Sequence, residues 1–567
     1  MLRSNSPLVL SRLSRRAVLF SSALAVFGMG AMLAGCPSSS GGGGSATGGT
    51  SGGAKTTGGS PKPGVLRYAL TAEPTTLDPA LATDGPTIDM LQQCYEGLVG
   101  WDEKSEVVPL VAKEMPKISA DGKTYTFTLR DNVKFHNGRA VTAEDVKYSL
   151  TRSLDHTLNS PVAINYLDDI QGARELFDGK AKDLTGVKVV DPKTVQITLN
   201  APRAYFLGKL TYPTGYLVAK EEVEKGEKTP GGAFTITEKN SVGSGPFRLK
   251  EYQRQSKVTL EANADYWGGK PKLTTIERPI VLDTKTARNL YDSGELDYVT
   301  LEKGDYKQVK DDPSVSLEIK KWDRSATFYL GLNQTHYAPF KNKKVRQAFA
   351  HAIDRDAIVK SVLLGVNDKA EGVVPKGIFS YDEQFKGLDY NPETAKKLLA
   401  EAGFPDGKGL PALTLSFREQ QPDLRKTAEV VKEQLAAIGV NVSLNEMEWG
   451  TFLKTNENNQ TDFFHMRWSA DYIDPQNFLS LLLSTTGHEN HTGYSNPQFD
   501  ALCKQADSET DQAKRVTLYR QAEKIVADDA PWVPLYYQKD LELMKPYVSG
   551  IRDSLMGHLP HKTVEVK

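Results

Sequence analysis

The sequence predicts an α/β fold, and three observations carry that prediction. Apolar residues alternate in short runs, Tyr125, Phe127 and Leu129 among threonines, and Leu413, Leu415 and Phe417 further on; strands with one buried face read this way. Between such runs lie capped segments with helical apolar spacing. In one, Asn391 caps, Pro392 opens the first turn, Ala395, Leu398, Leu399 and Ala402 share a face, and Gly403 closes. The two patterns take turns, as repeated strand–helix crossovers require. At 567 residues the chain is too long for one core, so roughly two to four domains follow.

Taken in order, residues 1–35 read as an export signal. Arg12, Arg15 and Arg16 form a basic start, and Ala17 to Leu33 is a short apolar stretch rich in Gly and Ala. Ser14-Arg15-Arg16 leaves the export route open between two systems. Leu33-Ala34-Gly35-Cys36 resembles a bacterial lipobox, which implies a lipid on Cys36 after cleavage. Residues 36–64 then form a Ser/Gly/Thr tether with almost nothing apolar to bury. A lipid, a leash and a globular body describe a protein held at a membrane face and working in the water beside it.

Val65 to Leu70 reads as a strand, Thr76-Leu77-Asp78-Pro79 as a turn, and Thr87 to Gly97 as a helix stopped by its glycine. Asp121-Gly122 opens a hairpin into the Tyr125 strand. Thr142-Ala143-Glu144-Asp145 has the form of a capped helix start. Gly243-x-Gly245 precedes Pro246 with no helix behind it, so it reads as a tight turn and not a dinucleotide fingerprint. The helix through Ala428, Val431, Leu435 and Ile438 ends at Gly439, and Val440, Val442 and Leu444 alternate after it.

Composition narrows the function. The chain is 25% charged and 39% hydrophobic, an ordinary globular balance. Losing the first 35 residues removes four arginines and no acids. The mildly acidic remainder argues against a nucleic-acid partner, which would need a basic face. Cys94 and Cys503 lie far apart and read as buried thiols, with a bridge between them left open. No nucleophile elbow, Walker loop or His-Glu-x-x-His occurs. His488-x-x-His491 sits among loop residues and makes a poor metal site. No enzyme activity, cofactor or metal is expected.

Several motifs resemble those of extracellular solute-binding proteins of the oligopeptide/dipeptide type, the receptor subunits of ATP-driven (ABC) importers. They are Asp121 to Arg130, Val133-Lys-Phe-His-Asn-Gly138, Thr142 to Arg152, Gly243-Ser-Gly-Pro-Phe247, Tyr266-Trp267, Asn342 to Arg355 and Asn391 to Gly403. The resemblance spans residues 65–567. It implies a periplasmic-binding-protein-like fold of the three-lobed class II type, closing by a hinge around its ligand. Lobe I would comprise 65–102, 241–327 and 540–567, lobe II 103–240, and lobe III 328–539. Its implied partners are a peptide ligand and the transmembrane permease, with the chain itself a monomer.

One stretch stands out within that frame, Arg467-Trp468-Ser469-Ala470-Asp471-Tyr472, which follows the apolar run Phe463 to Met466. Alone it could be a surface turn into Asp474-Pro475. It resembles the family's Trp-x-Ala-Asp-Tyr motif, whose aspartate pairs with the ligand's α-ammonium. That implies a ligand contact at Asp471, because a buried ammonium needs a buried counter-charge. By the same resemblance the backbone of Arg467, Trp468 and Ser469 would bind ligand main chain as an added strand. His465 falls where some relatives hold the ligand carboxylate with a cation, and Arg467 is a cation where the family has a small residue. Tyr472 and the cleft candidates Trp449, Tyr537, Trp322, Tyr329 and Tyr536 complete the set, with core packing as the rival role for each aromatic. The departures keep a different solute of the same fold, such as an oligosaccharide or metal chelate, and a secreted hydrolase as alternatives.

Overall fold

The computed structural model describes residues 61–567. The export signal, Cys36 and most of the tether lie outside the described residues. Strand β1 (Val65–Arg67) opens the body, followed by helix α1 (Gly85–Cys94). Asp84 caps α1 by accepting from the Thr87 backbone N–H at 3.0 Å. The helix stops at Cys94, ahead of the expected Gly97. That glycine serves a close approach instead, since a methyl group there would meet the Gly215 carbonyl at 3.1 Å.

A second body follows, with β2 (Thr124–Thr128), α2 (Ala143–Ser153), β3 (Val187–Asp191) and β4 (Thr194–Thr198). The short strand Lys117–Ile118 joins these in an antiparallel sheet ordered Lys117–Ile118, β2, β4, β3. At the start of α2 the Asp145 carboxylate accepts from the Thr142 N–H and hydroxyl, both at 2.9 Å, which satisfies an otherwise orphaned donor. Phe127, Val146 and Ile197 are fully buried between sheet and helix.

The chain then returns to the first body through β5 (Phe247–Gln253), β6 (Lys257–Ala262) and β7 (Thr275–Pro279). The first sheet is ordered β1, β7, β6, β5, with β1 parallel to β7. Gly243 and Gly245 lie directly on the Cys94 carbonyl, where no side chain fits.

The largest sheet has seven strands. Its long strand β8 (Ile319–Leu332) leads to α3 (Pro392–Glu401), β9 (Leu413–Arg418), α4 (Pro422–Ala436), β10 (Val442–Met447), α5 (Trp449–Glu457) and β11 (Phe463–Ser469). Helices α6 (Pro497–Ser508) and α7 (Gln512–Asp529) then deliver the second long strand, β12 (Trp532–Met544). The central order is β12, β8, β11, β9, β10. Each face carries a core: Leu330, Phe417 and Val431 on one, Tyr329, Phe464 and Phe478 on the other. Far from that core, β12 pairs with Tyr298–Thr300, and Tyr298 bridges to Tyr68 beside β1. The two long strands thus connect the first body to the largest. Cys94 and Cys503 are separate buried thiols.

Candidate functional site

The site is built around β11. On one side β11 pairs with β8 along its whole length, from Leu332 against Phe463 to Ala326 against Ser469. On the other side β9 pairs only with Phe463–His465 and ends at Arg418. Met466 to Ser469 therefore has a strand neighbour on one edge alone. An extended backbone could add there as a further strand.

Asp471 sits just past that edge. Its Oδ2 accepts from the Tyr166 hydroxyl at 2.9 Å and from Asn477 Nδ2 at 3.3 Å. Asn477 is fully buried and also accepts, through Oδ1, from the Asp471 N–H at 3.1 Å and Trp468 Nε1 at 3.0 Å. One amide thus fixes both the indole and the carboxylate. The turn Asp474-Pro475 positions it, since Asp474 caps the short helix Pro475–Asn477 and is itself paired with Arg515 at 2.9 Å. No Lys, Arg or His among the described residues pairs with Asp471. Burial pushes its carboxyl up to about 7, with Glu489 adding to the push and the Tyr166 and Asn477 hydrogen bonds opposing it.

Two guanidiniums lie in the opposite electrostatic state. Arg418, at the end of β9, rests over the Trp449 ring at 4.9 Å and pairs with no carboxylate. Burial and the neighbouring Arg467 hold it below its ordinary value. Arg467 is solvent-accessible although protein surrounds it, as in a side chain lining a cleft. Its one side-chain partner is the Gln538 oxygen at 3.0 Å. Asp84, the α1 cap, is near enough to raise both Arg418 and Tyr212, and Asp471 also raises Tyr212. First body, second body and largest sheet therefore face one another here.

The sequence-expected residues divide accordingly. Asp471, Trp468, Arg467, Ser469 and the half-buried Trp449 gather at the open edge of β11. His465 does not offer a cation: it is 1% exposed, neither ring nitrogen has a partner, and burial pushes its pKa down to about 3. Tyr537 points into the segment after β8, bonding the Gly372 backbone at 3.3 Å. Tyr472 is 1% exposed within the core of the second body. Trp322 donates to Glu542 at 2.7 Å, Tyr329 stacks on Trp532, and Tyr536 stacks on Phe328. Three site residues escaped the sequence reading: Tyr166, Asn477 and Arg418. Arg418 carried a signal, a lone cation straight after the alternating Leu413–Phe417 run.

The family model for bacterial extracellular solute-binding proteins, family 5 Middle, matches residues 106–490. The chain belongs to this family. The dipeptide-binding protein DppE of Bacillus subtilis is 33% identical over 504 residues, covering 86% of this chain and 90% of the relative. Heme-binding protein A of Haemophilus influenzae is 32% identical over 504 residues, covering 87% and 90%. The Escherichia coli murein tripeptide binding protein MppA superposes with TM-score 0.79 at 30% identity, over 88% of this chain and 98% of that one. The unliganded open form of MppA gives only 0.68 at 29% identity, over 89% and 98%. At nearly equal coverage the chain superposes less well on that open form.

Proposed function

We propose that this family-5 protein is the substrate-capturing subunit of an ATP-driven importer, taking short peptides outside the cytoplasmic membrane. Lobe I (65–102, 241–327, 540–567), lobe II (103–240) and lobe III (328–539) close around the ligand, with β8 and β12 as the connecting strands. The ligand backbone adds to the open edge of β11, its α-ammonium meets Asp471, and its carboxylate meets Arg418 and Arg467. One observation carries this reading: among the described residues, a half-buried carboxylate without a salt-bridged cation and two guanidiniums without a salt-bridged carboxylate flank one unpaired strand edge. Partly desolvated ions of this kind gain from a complementary partner. Recognition by backbone and end charges leaves side chains free to vary. The protein performs no covalent chemistry, and a lipid on Cys36 holds it at the membrane.

The test is to purify the protein natively, denature it, and identify the released small molecules by mass spectrometry. Titration calorimetry then compares free with N-acetylated peptides. Release of short peptides, and loss of binding on acetylation, is the expected result. A released dianion without an amine would favour a second reading, an anionic non-peptide solute held by Arg418 and Arg467, in keeping with the heme-binding relative.

A further inference from the structure

We propose that Tyr472 is the latch of the closed state, with Gly208 as its socket, so that this pair sets how long ligand is retained. The inference rests on the receptor reading above and concerns residues that need not touch ligand. In chain order Tyr472 belongs to lobe III, yet its ring lies in a core otherwise drawn from Leu98–Ala219. Its neighbours Ala470 and Ile473 pack into lobe III's own core. One side chain therefore crosses the seam.

The socket is shaped for it. Gly208 lies in the short helix Phe206–Lys209, and a methyl group there would come within 2.9 Å of the Tyr472 Cβ. Tyr205 and Tyr166 flank the ring, with centroids at 6.3 and 6.5 Å. The Tyr472 hydroxyl donates within its own lobe, to Gln476, so ring packing and not a polar bond across the seam makes the contact. Three hydrogen bonds cross the same seam nearby, Tyr166 to Asp471 at 2.9 Å, Asn165 to Glu489 at 3.0 Å and Arg203 to Ser508 at 3.2 Å.

A core completed by a side chain from another lobe cannot survive a hinge opening of those lobes. Because Tyr472 is adjacent to Asp471, ligand held at the carboxylate also holds the ring in register with its socket. An interaction made only after closure slows dissociation and leaves the encounter rate alone.

The test uses the whole chain with tri-alanine as probe, following intrinsic tryptophan fluorescence by stopped flow. Gly208→Ala and Tyr472→Ala are expected to raise koff about tenfold or more, as truncating a buried aromatic anchor does, with kon within about twofold. Tyr472→Phe keeps the wild-type koff. The ligand-free thermal midpoint stays within about a degree for Gly208→Ala, since the three atoms nearest a methyl group there all belong to Tyr472. An unchanged koff, or a fall in kon with koff constant, overturns the latch. If wild-type protein binds neither tri-alanine nor any released peptide, the peptide reading fails by itself. The latch is then judged without ligand, by amide hydrogen exchange across residues 206–210 in the wild type and Tyr472→Ala. Faster exchange in the variant supports the contact, and equal exchange overturns it.

Discussion

Two buried ionic regions of this molecule are built on opposite principles. Where β8 and β12 connect the first body to the largest sheet, Arg324 donates to Asp540 at 2.6 Å and to Asp553 at 2.8 Å. His558 lies 2.8 Å from Asp553 and 3.0 Å from Glu542, which also accepts from Trp322. Burial alone would depress His558, but Glu542 and Asp553 hold it at about 10. At the open edge of β11, among the described residues, Asp471 has hydroxyl and amide partners but no salt-bridged cation, and Arg418 has an aromatic face but no salt-bridged anion. The paired cluster fixes geometry. Under the proposed function, the unpaired ends reserve interaction strength for a ligand that brings both charges.

The contrast breaks most readily at the paired cluster. Arg324→Ala strands the Asp540 and Asp553 carboxylates and is expected to lower unfolding free energy by about 3–5 kcal/mol, read by urea denaturation. A loss under about 1 kcal/mol would mean water already serves those acids. At the ligand end the sign of stability reverses. Asp471→Ala should weaken peptide binding by about 2–5 kcal/mol, measured by titration calorimetry, and unchanged affinity rejects the ammonium role. Asp471→Asn should cost similar affinity while raising the ligand-free thermal midpoint at pH 8, because the buried charge is removed. Arg418→Gln is expected to weaken binding by about 2 kcal/mol and to leave peptides amidated at the C-terminus unaffected, so equal losses for acid and amide peptides would exclude Arg418 as the carboxylate partner.

Much of the fold could be read from the sequence because local chemistry and tertiary structure agree there. Asn391 caps α3 through its side chain, Gly403 and Gly439 adopt positive φ after their helices, and Thr142 and Asp145 form the expected cap of α2. The end of α1 was misread because Gly97 answers to a carbonyl far along the chain, not to its own backbone angles. Asp471 was legible through its motif, and its partners were not. Tyr166 lies 305 residues away in sequence, and no periodicity links the two. The polar potential of His465 was equally unreadable, since its neutrality comes from the ring neighbours Phe328 and Tyr536, supplied by β8 and β12.

The subtlest test of the contrast is in protons. Asp471, ordinarily near 3.8, is pushed up to about 7 by burial in the ligand-free cleft. A ligand ammonium would pull it back down. Below about pH 7 the carboxyl must therefore give up a proton when ligand binds, and affinity falls by up to about tenfold per pH unit of acidification. Above pH 7 the Asp471 contribution flattens, and above about 8 loss of the ligand's own ammonium proton lowers affinity again. Stability without ligand runs the other way: the raised group holds a proton that the unfolded chain has released, so stability declines as pH rises from about 4 to 7. At the connection, His558 contributes stability in full below about 6.5 and loses it as pH rises through about 10. Calorimetry in two buffers of different ionisation enthalpy should detect release of nearly one proton on peptide binding at pH 6, and net uptake at pH 8, where the peptide amine must itself be protonated to bind. The Asp471→Asn variant should release none at either pH. Proton uptake at pH 6 in the wild type would show that a group other than Asp471 receives the ammonium.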